Sequence, residues 1–189
     1  MSGPIKAAPP RVILGVDPGT VVTGWGVVQA IGGALRHVGY GTVHASSAEP
    51  QAVRLRRIYQ ALSKVLLEYR PDAISLERVF FARNVQSALK LGQARGVALL
   101  AAAEHGVGVH EYSAVEIKSA VVGFGHATKQ QVQMMIGSLL RVADPVPVDA
   151  ADALAAAICD LNRRSFENRL AEALSRKPTP LHPNGRGIR

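Results

Sequence analysis

The sequence predicts an α/β domain, a mixed sheet flanked by helices, and three observations carry that prediction. Three apolar, strand-like runs follow one another near the start, from Arg11 to Val16, Thr23 to Ile31 and Ala34 to Ala45. Helical and strand patterns then alternate, and an Ala-rich helical stretch from about Asp149 to Ala171 closes the body. The resulting order, βββ-α-β-α-β-α-α-α, joins an antiparallel opening to crossover units, which places helices on the faces of one sheet.

Each element has a local reason. Gly32-Gly33 supplies the tight turn between the second and third strands. From Gln51 to Arg70, the residues Val53, Ile58, Leu62, Val65, Leu66 and Tyr69 recur at helical spacing, and Pro71 stops the helix before the strand Ala73 to Val79. Asn84 to His105 is a long helix rich in small residues (Ala88, Gly92, Ala94, Gly96, Ala98), which permit close helix contact, and Gly106 ends it before the strand Val107 to Tyr112. Ser113 with Glu116, and Thr128 with Gln131, each have the spacing of a capping box, so helices begin at both places.

The chain of 189 residues suits one domain over residues 11–175, between a disordered leader (1–10) and a disordered basic tail (176–189) rich in Pro and Gly. The leader has no apolar block of the secretory kind, no stretch reads as a membrane span, and Cys159 stands alone, so a cytoplasmic protein is expected. Cys159 reads as a small apolar filler in a helix. Net charge is +8, the footprint of a polyanion binder, although ribosomal-type and membrane-surface binders share it. Six of the 22 basic residues (Lys6, Arg11, Arg176, Lys177, Arg186, Arg189) lie at the two ends, leaving 16 against 14 acids and a body of +2.

The chemistry lies in four carboxylates. Asp17 ends the first apolar strand and is turned outward by Pro18-Gly19, although Asp before Pro-Gly is also ordinary turn chemistry. Glu77 interrupts an apolar strand, where a carboxylate needs a cation, a metal ion or a base such as Arg78. Asp149 and Asp152 project from one face at the start of the last helix, where Asp149 also suits an N-cap and Asp152 the helix dipole. Three distant segments thus offer hard oxygen ligands at element ends without a Cys or His cluster, a set that selects Mg²⁺ or Mn²⁺. Such ions in a pair serve phosphodiester hydrolysis.

The segments LGVDPGTVVTGWGVV, LERVFFARN, SALKLGQARGVAL, KSAVVGFG and PVDAADALAAAI, in this order over about residues 12 to 160, resemble the RuvC family of Holliday junction resolvases, in the ribonuclease H-like superfamily. The resemblance implies a ribonuclease H-like fold with a five-stranded mixed sheet and a two-fold homodimer. It implies four-way junction DNA as substrate, cut by paired symmetric nicks in strands of like polarity, with two Mg²⁺ per subunit and Mn²⁺ as a substitute. A branch-migration complex of the RuvA and RuvB type is the implied partner. Carried over by position, Asp17, Glu77, Asp149 and Asp152 are the metal-binding acids, and Lys118 and Lys129 are basic residues near the scissile phosphate. Either lysine read alone is also an ordinary solvated side chain. Phe80, Phe81 and Arg83 are expected to contact DNA, with Phe80 favoured for stacking on a base and one of the two aromatics as easily packed beneath the following helix. The helix from Asn84 resembles the family's subunit-contact helix.

Three other functions compete. An actin-like or sugar-kinase-like ATPase shares the Asp-x-Gly opening but needs two such domains to enclose its nucleotide. A non-catalytic junction binder would use basic and aromatic groups without nicking DNA. A related nuclease of the same superfamily would differ only in its nucleic-acid target.

Overall fold

The computed structural model describes residues 11–78 and 85–175, residue 172 by its backbone alone. Phe80, Phe81 and Arg83, like the leader and the tail, lie outside the described residues. The chain opens with β1 (Arg11–Asp17), β2 (Val22–Ile31) and β3 (Ala34–His44). Gly32 and Gly33 both adopt positive φ (58° and 88°), the backbone that a two-residue hairpin turn demands. There follow α1 (Gln51–Tyr69), β4 (Ala73–Glu77), α2 (Val85–Glu104), β5 (Gly108–Tyr112), α3 (Ala114–Val122), α4 (Lys129–Leu140) and α5 (Val148–Ser175). The strands form one five-stranded sheet in the order β3-β2-β1-β4-β5. Its β3-β2-β1 side is antiparallel, and β4 and β5 join parallel through crossovers, which makes the sheet mixed as expected.

Boundaries moved where local chemistry overrode the apolar pattern. The α1 helix stops one residue early because Arg70 takes a left-handed conformation and returns its N–H to Leu66 O. The described part of β4 is Ala73–Glu77, with the expected Val79 outside the described residues, and α5 runs on past Ala171 to Ser175. Both capping boxes are closed in both directions, at Ser113/Glu116 and Thr128/Gln131.

Alternation along the strands sends side chains into two cores. Leu14, Val16, Val27, Ile74 and Leu76 face α1 and α2. Ile13, Val28 and Ala73 face α3, α4 and α5, where Ala150 to Leu161 is an almost wholly buried stretch of helix that includes Cys159. The period of two that sends Ile13 and Ala73 toward α5 also assigns Asp17 and Glu77, an even number of residues on, to that same side. Among the described residues, no helix is long and apolar enough to cross a membrane.

Candidate active site

The site begins with an absence of side chains. A Cβ on Gly15 would lie 1.7 Å from Ala153 O, and one on Gly24 would lie 1.9 Å from Asp149 O, so the first turns of α5 rest on the bare backbone of β1 and β2. Any larger residue would lift the helix. The buried Ser75 hydroxyl donates to Ala156 O (2.7 Å) and ties α5 to β4 as well. The start of α5 is thereby fixed against the end of β1, where Asp17 stands.

The turn after Asp17 is also closed. Buried Thr23 donates its hydroxyl to Gly19 O (2.6 Å) and accepts from Gly19 N–H (3.2 Å). From α1, the buried Arg54 donates to Thr20 O (3.2 Å) and to Gln51 Oε1 (2.7 Å). At the end of β4, Arg95 of α2 donates to Glu77 O (3.3 Å) and pairs with Glu111.

A cleft of about 210 Å³ is lined by Asp17, Glu77, Asp152, Lys118 and Lys129, with Ile117, Val132 and Ala155 as part of its apolar wall. Asp149 is not in that lining, yet its charge reaches Asp17. Burial, then repulsion from Asp152, Asp149 and Glu77, pushes the Asp17 carboxyl up to about 7 against relief from Lys129. The Glu77 carboxyl is raised by burial and by Asp152, while Lys129 and Lys118 lower it. Lys129 Nζ lies 2.7 Å from Asp152 Oδ2, and that bond, with the further pull of Asp17 and Asp149, holds the ammonium proton more tightly than usual. Lys129 opens α4, at the positive end of the helix dipole, where a cation is ordinarily disfavoured; the carboxylates opposite compensate.

The structure therefore brings Asp17, Glu77, Asp149, Asp152, Lys118 and Lys129 to one end of the sheet. Among the described residues no three carboxylate, imidazole or thiol side chains stand together as a ready-made metal cage. The Lys129 ammonium instead neutralises Asp152 as a positive charge within reach of the others. A wider groove of about 660 Å³ lies on the α1–α2 side, lined by Tyr59, Lys64, Leu67, Glu68 and His105 among others, and contains none of the four acids. Asp149 does not take the N-cap position that it also suits: Val148 is already helical, Ala151 N–H bonds to Pro147 O, and Asp149 sits within the first turn.

Several contributors carry no plain mark in the sequence. Arg54 and Arg95 read there as surface bases of amphipathic helices. Asp160 is fully buried, accepts from the Tyr112 hydroxyl (2.8 Å), lies 2.7 Å from His110 Nδ1 and forms an ion pair with Arg164 Nε (3.0 Å). Its signal is nonetheless present, since Asp160 is an acid inside the apolar run of α5 and lies on the Asp152 stripe at helical spacing.

Comparison with known proteins agrees with this geometry. The family described as "Crossover junction endodeoxyribonuclease RuvC" matches residues 13–160. A protein of that name from Geobacter sulfurreducens is 52% identical over 150 residues, which is 79% of this chain and 92% of that protein. One from Shewanella pealeana is 51% identical over 148 residues, covering 78% and 85%. The solved structure described as "T. thermophilus RuvC in complex with Holliday junction substrate" superposes with a TM-score of 0.76 at 36% identity, covering 85% of this chain and 96% of that one. The yeast mitochondrial resolvase Ydc2, at 12% identity and a TM-score of 0.61, shares the fold. With the match spanning the strand that bears Asp17 through the helix that bears Asp149 and Asp152, the chain belongs to the RuvC family of crossover junction endodeoxyribonucleases.

Proposed function

We propose that this protein resolves four-way DNA junctions in recombination and repair, as a homodimer whose two sites make paired symmetric nicks in strands of like polarity. The observation that carries this is the gathering of four acids and two lysines at one end of the sheet, in a chain 36% identical to a relative solved with a Holliday junction.

The donor chemistry fits a divalent cation. The ligands on offer are carboxylate oxygens, burial and then their mutual repulsion raise Asp17 to about 7, and an ammonium already sits against Asp152. Asp17, Glu77, Asp149 and Asp152 would hold Mg²⁺, two ions per subunit with Mn²⁺ as a substitute. When bound, such ions supply an activated water and neutralise charge on the scissile phosphate. Lys118 and Lys129, which line the same cleft, would engage phosphate oxygens and offset developing charge.

Phe80, Phe81 and Arg83 directly follow the Glu77 strand, and we assign them to the junction, with Phe80 stacking on an unpaired base. For the dimer, the support is a stripe on α2. Val85, Leu89 and Leu100 are exposed, and a Cβ at Gly92 or Gly96 would meet nothing within 4 Å. These positions share one helical face, open in the single subunit and suited to a two-fold axis. A branch-migration complex of the RuvA and RuvB type would deliver the junction in the cytoplasm.

Incubating the protein with four-way, three-way and linear duplex DNA, with and without Mg²⁺, tests the proposal. Paired symmetric nicks in the four-way junction alone, abolished by chelation and by Asp17→Asn, are expected. Equal cutting of linear duplex, or tight junction binding without any nick, would overturn it.

A further inference from the structure

The β4 ladder runs out at Glu77. Its partner in the sheet is Tyr112, and among the described residues the ladder is extended by Arg78 N–H to Tyr112 O (2.7 Å). Glu77 O lies at that end and accepts from a side chain on another element, Arg95 Nη1 at 3.3 Å. The Arg95 side chain is largely covered, and its other terminal nitrogen is held by the carboxylate of Glu111 on β5. One guanidinium therefore spans α2, the end of β4 and β5. It acts from the α1–α2 side of the sheet, opposite the cleft that the Glu77 carboxylate lines. A planar fork with fixed donor directions suits this better than a flexible ammonium.

We propose that Arg95 is a positioning residue for metal binding: by fixing the Glu77 peptide from behind the sheet, it sets the direction in which the Glu77 carboxylate meets a divalent cation. Arg95 touches neither substrate nor metal. Its charge is matched by Glu111, so its contribution is geometric, and outer contacts of this kind change metal affinity by about 10- to 100-fold when removed. Arg95 lies between Gly92, Gly96 and the rest of the open stripe on α2, so the same helix that offers a surface for a second subunit also grips the Glu77 strand. The inference rests on the proposed metal-dependent reaction, and direct metal binding separates the two.

The test uses the full chain and Mn²⁺ itself, with free Mn²⁺ followed by electron paramagnetic resonance and folding followed by thermal melting. Arg95→Met is expected to fold, to bind four-way junction within about twofold of wild type, and to bind Mn²⁺ about 10-fold more weakly or worse. Arg95→Lys, which keeps the charge and loses the fork, is expected to restore less than half of that loss on a logarithmic scale. Should Arg95→Met fail to fold, Glu111→Gln leaves the Arg95–Glu77 contact available but unanchored, and about a threefold weakening of Mn²⁺ binding is expected. Unchanged Mn²⁺ affinity in the folded variants, or full restoration by Arg95→Lys, overturns the proposal. Wild-type protein that binds no Mn²⁺ overturns both this proposal and the metal-dependent reaction, whereas wild type that binds Mn²⁺ but leaves junctions uncut overturns only the latter.

Discussion

Gly24 and the main-chain oxygen of Asp149 are so close that a single added methyl carbon would come within 1.9 Å of that oxygen. The acid-bearing turn of α5 is thus seated on β2 with no side chain between. Gly24→Ala must push the helix off the sheet, and overpacking of this kind costs about 1 to 3 kcal/mol or more. Urea denaturation should show a lower midpoint, and the variant that remains folded should cut junctions poorly because Asp149 and Asp152 move away from Asp17.

Asp17 predicts a pH dependence. The unfolded chain releases this proton near 3.8, whereas the folded site keeps it to about 7. Its stabilising contribution in metal-free protein is therefore complete below about pH 3.8 and is lost as pH rises through 7. Asp17→Asn, neutral throughout, should melt a few degrees above wild type at pH 8 and nearly with it only below about pH 4. Divalent ions compete with the same proton, so apparent Mg²⁺ affinity of wild type should climb between pH 5 and pH 7 and then level off. A flat profile would remove Asp17 from the ligand set.

Much of this architecture is legible in the sequence. The order of the elements, both capping boxes and the four acids follow from local periodicity and turn chemistry, because each depends on residues within a few positions of one another. What stays hidden is non-local. Nothing near Arg54 or Arg95 tells that their guanidinium groups end at Thr20 O and Glu77 O, since those carbonyls belong to other elements. Gly15 and Gly24 read as weak points in strands until the passage of α5 across them gives their reason. The alternative role of Asp149 as an N-cap is not realised because the helix already begins at Val148, with Pro147 O accepting from Ala151 N–H, a boundary that residue preference alone resolves poorly.

Lys129 is expected to separate binding from chemistry. Its ammonium is 2.7 Å from Asp152, at the exposed rim of the cleft that Asp17 also lines. Lys129→Ala should leave junction affinity within a few-fold, because one phosphate contact among many is lost. Single-turnover cleavage should fall about 100-fold or more if developing charge is stabilised there. A parallel loss of affinity and rate in a gel-shift and cleavage pair would assign Lys129 to binding alone.

Asp149→Asn carries a related expectation: retained junction binding with cleavage abolished, since a lost ligand oxygen need not disturb phosphate contacts. Cutting equal to wild type in a gel assay would exclude Asp149 from the reaction.

Asp160 should matter for stability. It is fully buried and shared by Tyr112, His110 and Arg164, so Asp160→Ala strands a phenol and two bases beside a cavity. His110 and Arg164 keep partial access to water and recover some hydration. A loss of about 2 to 3 kcal/mol in urea unfolding is expected, short of the largest values for broken buried pairs.

The bare seat of α5 has a last consequence. On the α1–α2 side Leu, Ile and Val side chains, with four alanines of α2, fill the core, and the rotamers of the larger ones can shift to absorb a substitution. Beneath Asp149 and Asp152 nothing can shift, because peptide groups abut peptide groups at Gly15 and Gly24. Mutational tolerance should therefore be uneven: side chains around both cores can drift in sequence while the seat of α5, bolted through its main chain, preserves the spacing of its acids.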